Sequence, residues 1–149
     1  MMNIQLKTND SEVNPIHQAG IDVGAEELVL VVRKNSKLLN PQTFTNTRAD
    51  RTRLVNKLVK LPGVIVCMEA TGVYHFDLAV ALHDAGVLVM VINPKSSHNF
   101  AKVLMKNSKT DAVDANTLAE YAARMILLPG LDPATRPLLF AVFLAELRP

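Results

Sequence analysis

Four acidic residues occupy positions that would suit a shared site for chemistry on a phosphodiester. Glu69 comes directly after the apolar run 63–68, which is rich in β-branched residues, and Asp22 lies within another apolar segment. Ligands of covered parallel sheets bind beyond the carboxyl ends of the strands, so an acid at the end of such a strand is well placed for chemistry. Asp111 and Asp114 are three residues apart and therefore share one face of a predicted helix.

If these acids converge on one pocket, they repel one another unless cations neutralise them. The hard divalent cations Mg²⁺ and Mn²⁺ prefer such oxygen ligands. Two of these ions about 4 Å apart would stabilise the attacking and leaving oxygens of a phosphodiester, which is nuclease or strand-transfer chemistry. A purely structural interpretation of Asp111 and Asp114 stays open, because acids in the first turn of a helix interact favourably with its dipole.

The elements that must position the acids form an α/β pattern. Three sequential strands that read as antiparallel are followed by βα units, which predicts a mixed sheet with helices on both faces. In this order the strands of Asp22 and Glu69 are neighbours at the sheet centre, and Gly20 and Gly24 leave the backbone around Asp22 uncrowded. The predicted elements are strands at 19–24, 28–32 and 42–45, a helix at 47–60, a strand at 63–69, a helix at 74–85, a strand at 88–92 and a helix at 111–125.

The predicted helices each have an apolar stripe. Thr47 and Asp50 resemble a capping box at the start of the first helix, with Asp in place of the usual Glu or Gln. Gly86 is expected to end the second helix. The predicted buried residues are Leu54, Val55, Leu58 and Val59 in the first helix, Tyr74, Leu78, Leu82 and Ala85 in the second, and Ala115, Leu118, Ala119, Ala122 and Ile126 in the last.

Basic residues cluster in two segments, although the net charge of the chain is only +2. Residues 95–109 hold lysines and no acid, and the helix at 47–60 carries five cations against Asp50. Such clusters fit contact with the phosphate backbone of a nucleic acid, although a solvated helix face explains the second cluster equally well. The predicted nucleic-acid-binding residues are Lys95, Lys102, Lys106, Lys109, Arg48 and Arg51.

Length and composition indicate one globular domain. The chain has 149 residues, of which 49% are hydrophobic and 20% charged. The single cysteine, Cys67, excludes an internal disulfide and is expected in the core. No apolar run approaches the ~20 residues of a membrane span, and the polar residues 1–17 read as a loose leader without a signal sequence, which predicts a cytoplasmic protein with no membrane partner.

Five short motifs in this order resemble the N-terminal catalytic domain of DEDD transposases, the insertion-sequence family numbered one-ten. Each motif is weak alone, whereas the ordered set is highly specific and covers about residues 19–128. The motifs are Gly20-Ile21-Asp22-Val23, Met68-Glu69-Ala70-Thr71-Gly72-Val73-Tyr74, Val91-Ile92-Asn93-Pro94-Lys95, Phe100-Ala101-Lys102 and Lys109-Thr110-Asp111-Ala112-Val113-Asp114-Ala115.

The resemblance implies a ribonuclease H-like (RuvC-like) fold over residues 18–128 and Mg²⁺-dependent DNA recombination. The family's catalytic and metal-binding tetrad corresponds to Asp22, Glu69, Asp111 and Asp114. Its members resemble Holliday-junction resolvases, and some use a structured guide RNA. The implied partners are therefore DNA, with a guide RNA as a further candidate.

The end of the chain departs from the family pattern. Family proteins continue into a helical linker and a second domain that supplies a nucleophilic serine, whereas this sequence stops at Pro149. We interpret residues 129–149 as a truncated linker or a frame-shifted tail, and expect transposition to be incomplete without the serine domain. The apolar run 138–144 predicts a homo-oligomer, since a small domain cannot cover it.

Two other functions remain open on the sequence. The first is a non-catalytic remnant that only binds nucleic acid or an intact transposase. The second is an actin-like or sugar-kinase-like ATPase, because residues 21–24 resemble the first phosphate loop of that superfamily. The chain is too short for the two lobes of such an ATPase, and a second glycine-rich phosphate loop is absent from the sequence.

Overall fold

One six-stranded mixed sheet carries the fold. The computed structural model describes residues 17–70, 72–95, 99, 102 and 111–125, with side chains described for 115–124 in the last range. The elements are β1 (His17–Val23), β2 (Glu27–Lys34), β3 (Lys37–Leu38), β4 (Gln42–Thr45), α1 (Arg48–Val59), β5 (Ile65–Glu69), α2 (Phe76–Asp84), β6 (Leu88–Ile92) and α3 (Asp111–Met125).

The first two strands form the predicted antiparallel hairpin. Val23 pairs with Leu28, and the Gly24 N–H donates to the Glu27 carbonyl at 2.8 Å to close the turn. Nearly every residue of β1 and the middle of β2 is buried. This burial follows from continuous apolar sequence, which suits strands covered on both faces.

The sequence missed β3, which returns from β2 through a two-residue turn. Asn35 and Ser36 both have positive φ, 49° and 68°, the conformation of a type I′ hairpin turn. The usual signal for that turn is a glycine at the second position, and Ser36 does not provide it. The strand predicted at 42–45 is confirmed as β4, and it pairs with β2 on the same edge as β3.

The second half of the sheet is parallel. β5 pairs with β1 and β6 pairs with β5, which gives the order β3–β2–β1–β5–β6. The predicted mixed sheet, with the strands of Asp22 and Glu69 as central neighbours, is therefore confirmed.

The first helix begins at the predicted cap, although the cap is not reciprocal. The Thr47 hydroxyl accepts from the Asp50 N–H at 3.3 Å, as in a capping box. The Asp50 carboxylate, however, accepts from the N–H and the hydroxyl of Thr45, at 2.8 and 2.7 Å. These two bonds lower the pKa of Asp50, the side-chain bond contributing most. Asp50 thus ties the end of β4 to the start of α1.

The prediction of a buried position is wrong for three residues assigned to the first two helices. Val59 and Tyr74 are each 50% exposed, and Ala85 is also exposed. Tyr74 is exposed because α2 begins only at Phe76, so the tyrosine lies in the preceding turn. The predicted stop at Gly86 is confirmed by its φ of +83°.

None of the helices among the described residues has the length and hydrophobicity that a membrane span requires.

The helices cover opposite faces of the sheet, as predicted. The α1 and α2 face buries Ile21, Leu54, Leu58, Met68, Leu78 and Leu82, and the α3 face buries Val29, Val31, Ile65, Cys67, Ala115, Leu118, Ala119 and Ala122.

Several predictions concern residues outside the described ranges. These are the leader at 1–16, Ile126, the tail at 129–149, and most of the basic segment at 95–109.

Candidate active site

Asp22 and Glu69 lie side by side at the centre of the sheet. The parallel register of β1 and β5 pairs Ile21 with Met68, so Asp22 and Glu69 are the next pair along. Neighbouring strands are about 4.8 Å apart, and residues opposite each other point to the same face. The two carboxylates therefore extend from the same face at the carboxyl ends of adjacent strands.

The two acids differ in exposure. Glu69 is only 9% exposed, whereas Asp22 is partly open to solvent. The chain beyond Glu69 is anchored, since the Ala70 N–H donates to the Ile92 carbonyl at 2.8 Å.

A close helix–strand approach brings α3 onto the face of the two acids. A Cβ added at Gly20 would lie 2.0 Å from the Ala115 carbonyl oxygen and 2.4 Å from the Ala119 backbone nitrogen. Only a glycine permits this contact. We predicted that Gly20 leaves the backbone around Asp22 uncrowded, and this prediction is wrong for Gly20, because the backbone of α3 packs directly against it.

An ion pair shows which way α3 runs. Arg33 Nε lies 3.3 Å from Glu120 Oε1, and Arg33 Nη1 donates to Gln18 Oε1 at 3.0 Å. Glu120 is therefore level with the beginning of β1. Ala115, five residues earlier, packs with Val29, which pairs with Asp22. The helix thus points its N-terminus towards the end of β1 that carries Asp22.

The first turn of α3 contains the remaining two predicted acids. The backbone of Asp111 and Asp114 is helical, and both residues lie within about one turn before Ala115. The backbone therefore brings the segment with both acids towards the edge where Asp22 and Glu69 lie. The side chains of Asp111 and Asp114 are outside the described residues, and among the described side chains no group of three or more metal-binding residues occurs.

A hydrogen-bonded clamp, which the sequence did not reveal, holds the turn after Asp22. The Asn46 side chain donates to the Gly24 carbonyl at 2.8 Å, and the Asn46 N–H donates to the Glu26 carbonyl at 2.8 Å. Arg51 in turn donates to the Asn46 side-chain and backbone oxygens, at 3.0 and 3.2 Å. Asn46 and Gly24 are 22 residues apart in sequence, so no local pattern identifies their contact.

Cys67 belongs to the core, as predicted. It is fully buried on the α3 face of β5, two residues before Glu69. Burial, followed by the nearby negative charge of Glu69, raises the pKa of the Cys67 thiol. The thiol is therefore neutral at physiological pH and is a packing residue.

The predicted nucleic-acid-binding residues have different environments. Lys95, Lys102 and Arg48 are exposed, whereas the guanidinium of Arg51 is engaged by Asn46. Lys106 and Lys109 lie outside the described ranges. The role of all six residues stays a prediction.

Comparison with known proteins agrees with this geometry. A family model described as transposase, for the DEDD type of the IS110 family, matches residues 19–136. No curated protein matches the sequence.

Solved structures with a similar fold include two of RuvC and one viral resolvase. Thermus thermophilus RuvC in complex with a Holliday junction has a TM-score of 0.50 at 19% identity, covering 74% of this chain and 96% of that one. RuvC of the same organism in a second structure gives 0.52 at 19% identity, covering 73% and 96%. The fowlpox virus Holliday junction resolvase gives 0.50 at 14% identity, covering 75% and 99%. At these identities the likeness establishes the ribonuclease H-like, RuvC-like fold.

Proposed function

The chain belongs to the DEDD transposase family, and from this membership we propose that it carries a metal-dependent site that cleaves and transfers DNA strands during transposition. The observation that supports the proposal most is that Asp22 and Glu69 each directly follow the register pair Ile21 and Met68 on adjacent parallel strands. Two carboxylates side by side at the carboxyl ends of central strands repel each other, which disfavours a packing role and favours the binding of a cation.

The donor set fits a hard divalent cation. Asp22 and Glu69 offer carboxylate oxygens from strands about 4.8 Å apart, which permits both to contact one ion. Asp111 and Asp114 would supply the remaining protein ligands, because the first turn of α3 extends towards the same edge. Mg²⁺ or Mn²⁺ bound there would stabilise the charge that develops on the phosphorus oxygens during cleavage.

The protein's own contribution is rigid spacing of its acids. Glu69 is held by a buried central strand and Asp22 by a strand bonded on both edges. The contact between Gly20 and Ala115 fixes the distance of α3 from β1, and the clamp from Asn46 to Gly24 fixes the turn after Asp22. Such positioning matters because a displacement of about 1 Å can cost roughly 10²-fold in rate.

The partner that this chemistry requires is DNA. Exposed Lys95, Lys102 and Arg48 would contact its phosphates, together with Lys106 and Lys109. We propose a guide RNA and a second copy of the chain as further partners, in line with the family resemblance and the apolar run 138–144.

Cleavage of a branched DNA by the full chain tests the proposal. With Mg²⁺ or Mn²⁺ present, the wild type should cleave, and Asp22→Asn and Glu69→Gln should lower cleavage by at least 10²-fold while retaining DNA binding. Asp84→Asn is the matched control, since Asp84 is an exposed acid at the end of α2 and should leave cleavage unchanged.

Two results would refute the assignment. Cleavage that persists unchanged in Asp22→Asn would exclude this acid from the site. DNA binding by the wild type with no metal-dependent cleavage would favour a non-catalytic chain that only binds nucleic acid or an intact transposase.

A further inference from the structure

A basic groove lies along the outer edge of the sheet, away from the acids. It runs between β4 and the second half of α1, with a volume of about 330 Å³. Three of its six lining residues are cations. The lining residues are Gln42, Phe44, Arg53, Asn56, Lys57 and Lys60.

A second hollow continues the surface past Lys57. It has a volume of about 180 Å³ and shares Gln42 and Lys57 with the first groove. The Lys57 ammonium group donates to the Gln42 side-chain oxygen between the two hollows. Lys34 and His17 add further basic groups on the far side. We call the two hollows together the edge groove.

The charge of the edge groove is one-sided. None of the residues that line either hollow is acidic. Asp50 is the neighbouring carboxylate, and it pairs with Arg53 at 2.9 Å from the first half of α1. Lys34, Lys57 and Lys60 therefore add positive charge that Asp50 does not offset, which favours a polyanionic ligand.

The aromatic residue of the edge groove indicates which polyanion fits. Single-stranded nucleic acids bind by stacking their bases on exposed aromatic rings. Phe44 is only 7% exposed, and the Arg53 guanidinium lies 5.4 Å from the centre of its ring. A groove with cations and no accessible ring suits the outside of a duplex, where phosphates are presented and bases are stacked away.

The edge groove and the acids lie on opposite faces of the sheet. Leu30, Val32 and Phe44 line the groove and belong to the core beneath α1 and α2. Asp22 instead pairs with Val29, whose side chain belongs to the core beneath α3. A duplex in the groove is therefore held by a surface separate from the acid site.

We propose that the edge groove binds the phosphate backbone of duplex DNA on the face of the sheet opposite the acids. Lys57 and Lys60 belong to the basic cluster that the sequence places on the helix at 47–60, and the structure adds Lys34 of β2 to them across the groove. The choice of DNA rests on the proposed function, whereas the affinity for a duplex rests on the groove itself.

Titration of a fluorescent DNA duplex against the full chain tests the groove. The variant is Lys57→Gln with Lys60→Gln, and anisotropy is measured from 50 to 200 mM NaCl in EDTA, so that the acid site has no metal. Each lost phosphate contact lowers the salt slope by about 0.9, so the slope should fall by about 1.8. At 100 mM salt the Kd should rise roughly 10- to 60-fold.

Two control variants separate the groove from general charge effects. Lys37→Gln with Arg124→Gln removes the same charge from exposed residues outside the groove lining, and it should keep the wild-type slope. Lys57→Arg with Lys60→Arg keeps both charges and should keep binding. Thermal melts of all variants should agree with the wild type, because Lys57 and Lys60 are exposed.

The outcomes are distinct. Equal slopes for the groove variant and the Lys37 and Arg124 control would overturn the proposal, as would a loss seen with duplex RNA and not with DNA. A reduced salt slope that is confined to the groove variant supports the edge groove as a DNA-binding site, even if the wild type cleaves no DNA and the proposed function fails. If the wild type does cleave, the groove variant should raise KM for DNA and keep kcat.

Discussion

Replacing Gly20 by alanine should separate α3 from the sheet and so disable the acid site. The added Cβ would lie 2.0 Å from the Ala115 carbonyl oxygen, whereas real contacts of this kind stay above 3.0 Å. The obstructing atoms belong to the helix backbone, so no side-chain rotation relieves the clash. The helix must therefore retreat by roughly 1 Å, the difference between these distances.

The energetic cost of Gly20→Ala comes from the gap that forms between α3 and the sheet when the helix moves away. A gap of 0.5–1 Å forfeits about a quarter to a half of each dispersion contact, and overpacking of a core costs about 1–3 kcal/mol or more. The reduced entropy of the unfolded alanine chain returns about 0.5–1 kcal/mol. We expect a net destabilisation of about 2 kcal/mol, which lowers the Tm by roughly 4–8 °C for a domain of this size.

Two measurements check the Gly20→Ala prediction. Denaturant unfolding gives the stability, with Gly24→Ala as a matched control, since Gly24 has ordinary φ and its nearest obstruction is the Glu27 carbonyl at 3.2 Å. DNA cleavage should fall about 10²-fold in Gly20→Ala, because α3 carries Asp111 and Asp114. A Gly20→Ala protein as stable and as active as Gly24→Ala would refute the close packing of α3 on β1.

Two further predictions concern single side chains. Asp50→Asn should lower the Tm at neutral pH. Because the folded pKa of Asp50 lies below its ordinary value of 3.8, the difference in Tm from the wild type should be full above pH 3.8 and shrink as the pH falls through the folded pKa. A difference in Tm that grows on acidification would contradict the hydrogen bonds from Thr45. Cys67 is buried and its pKa is raised, so it should react with a thiol reagent only as fast as the native protein opens, and completely in denaturant. Immediate labelling of the native protein would show that Leu118 and Ala122 do not cover β5.

The sequence determined most of the element order and the two central acids. Apolar runs that end at a glycine, a proline or a polar residue predict β1, β2, β5 and β6, because such runs are typical of strands buried on both faces of a sheet. Asp22 stood out because it lies within an apolar segment and Glu69 because it ends one, and a charge next to buried strand residues is costly unless it has a partner or a role. The motif order then indicated the family that the transposase model matches.

Only the tertiary structure decided how these pieces meet. The register that sets Asp22 beside Glu69, the closeness of Ala115 to Gly20 and the bond from Asn46 to Gly24 join residues far apart in the chain. Local sequence encodes propensity and periodicity, whereas these contacts depend on how whole elements pack. The exposed Tyr74 illustrates the limit, since its place in an apolar stripe was lost once α2 began two residues later.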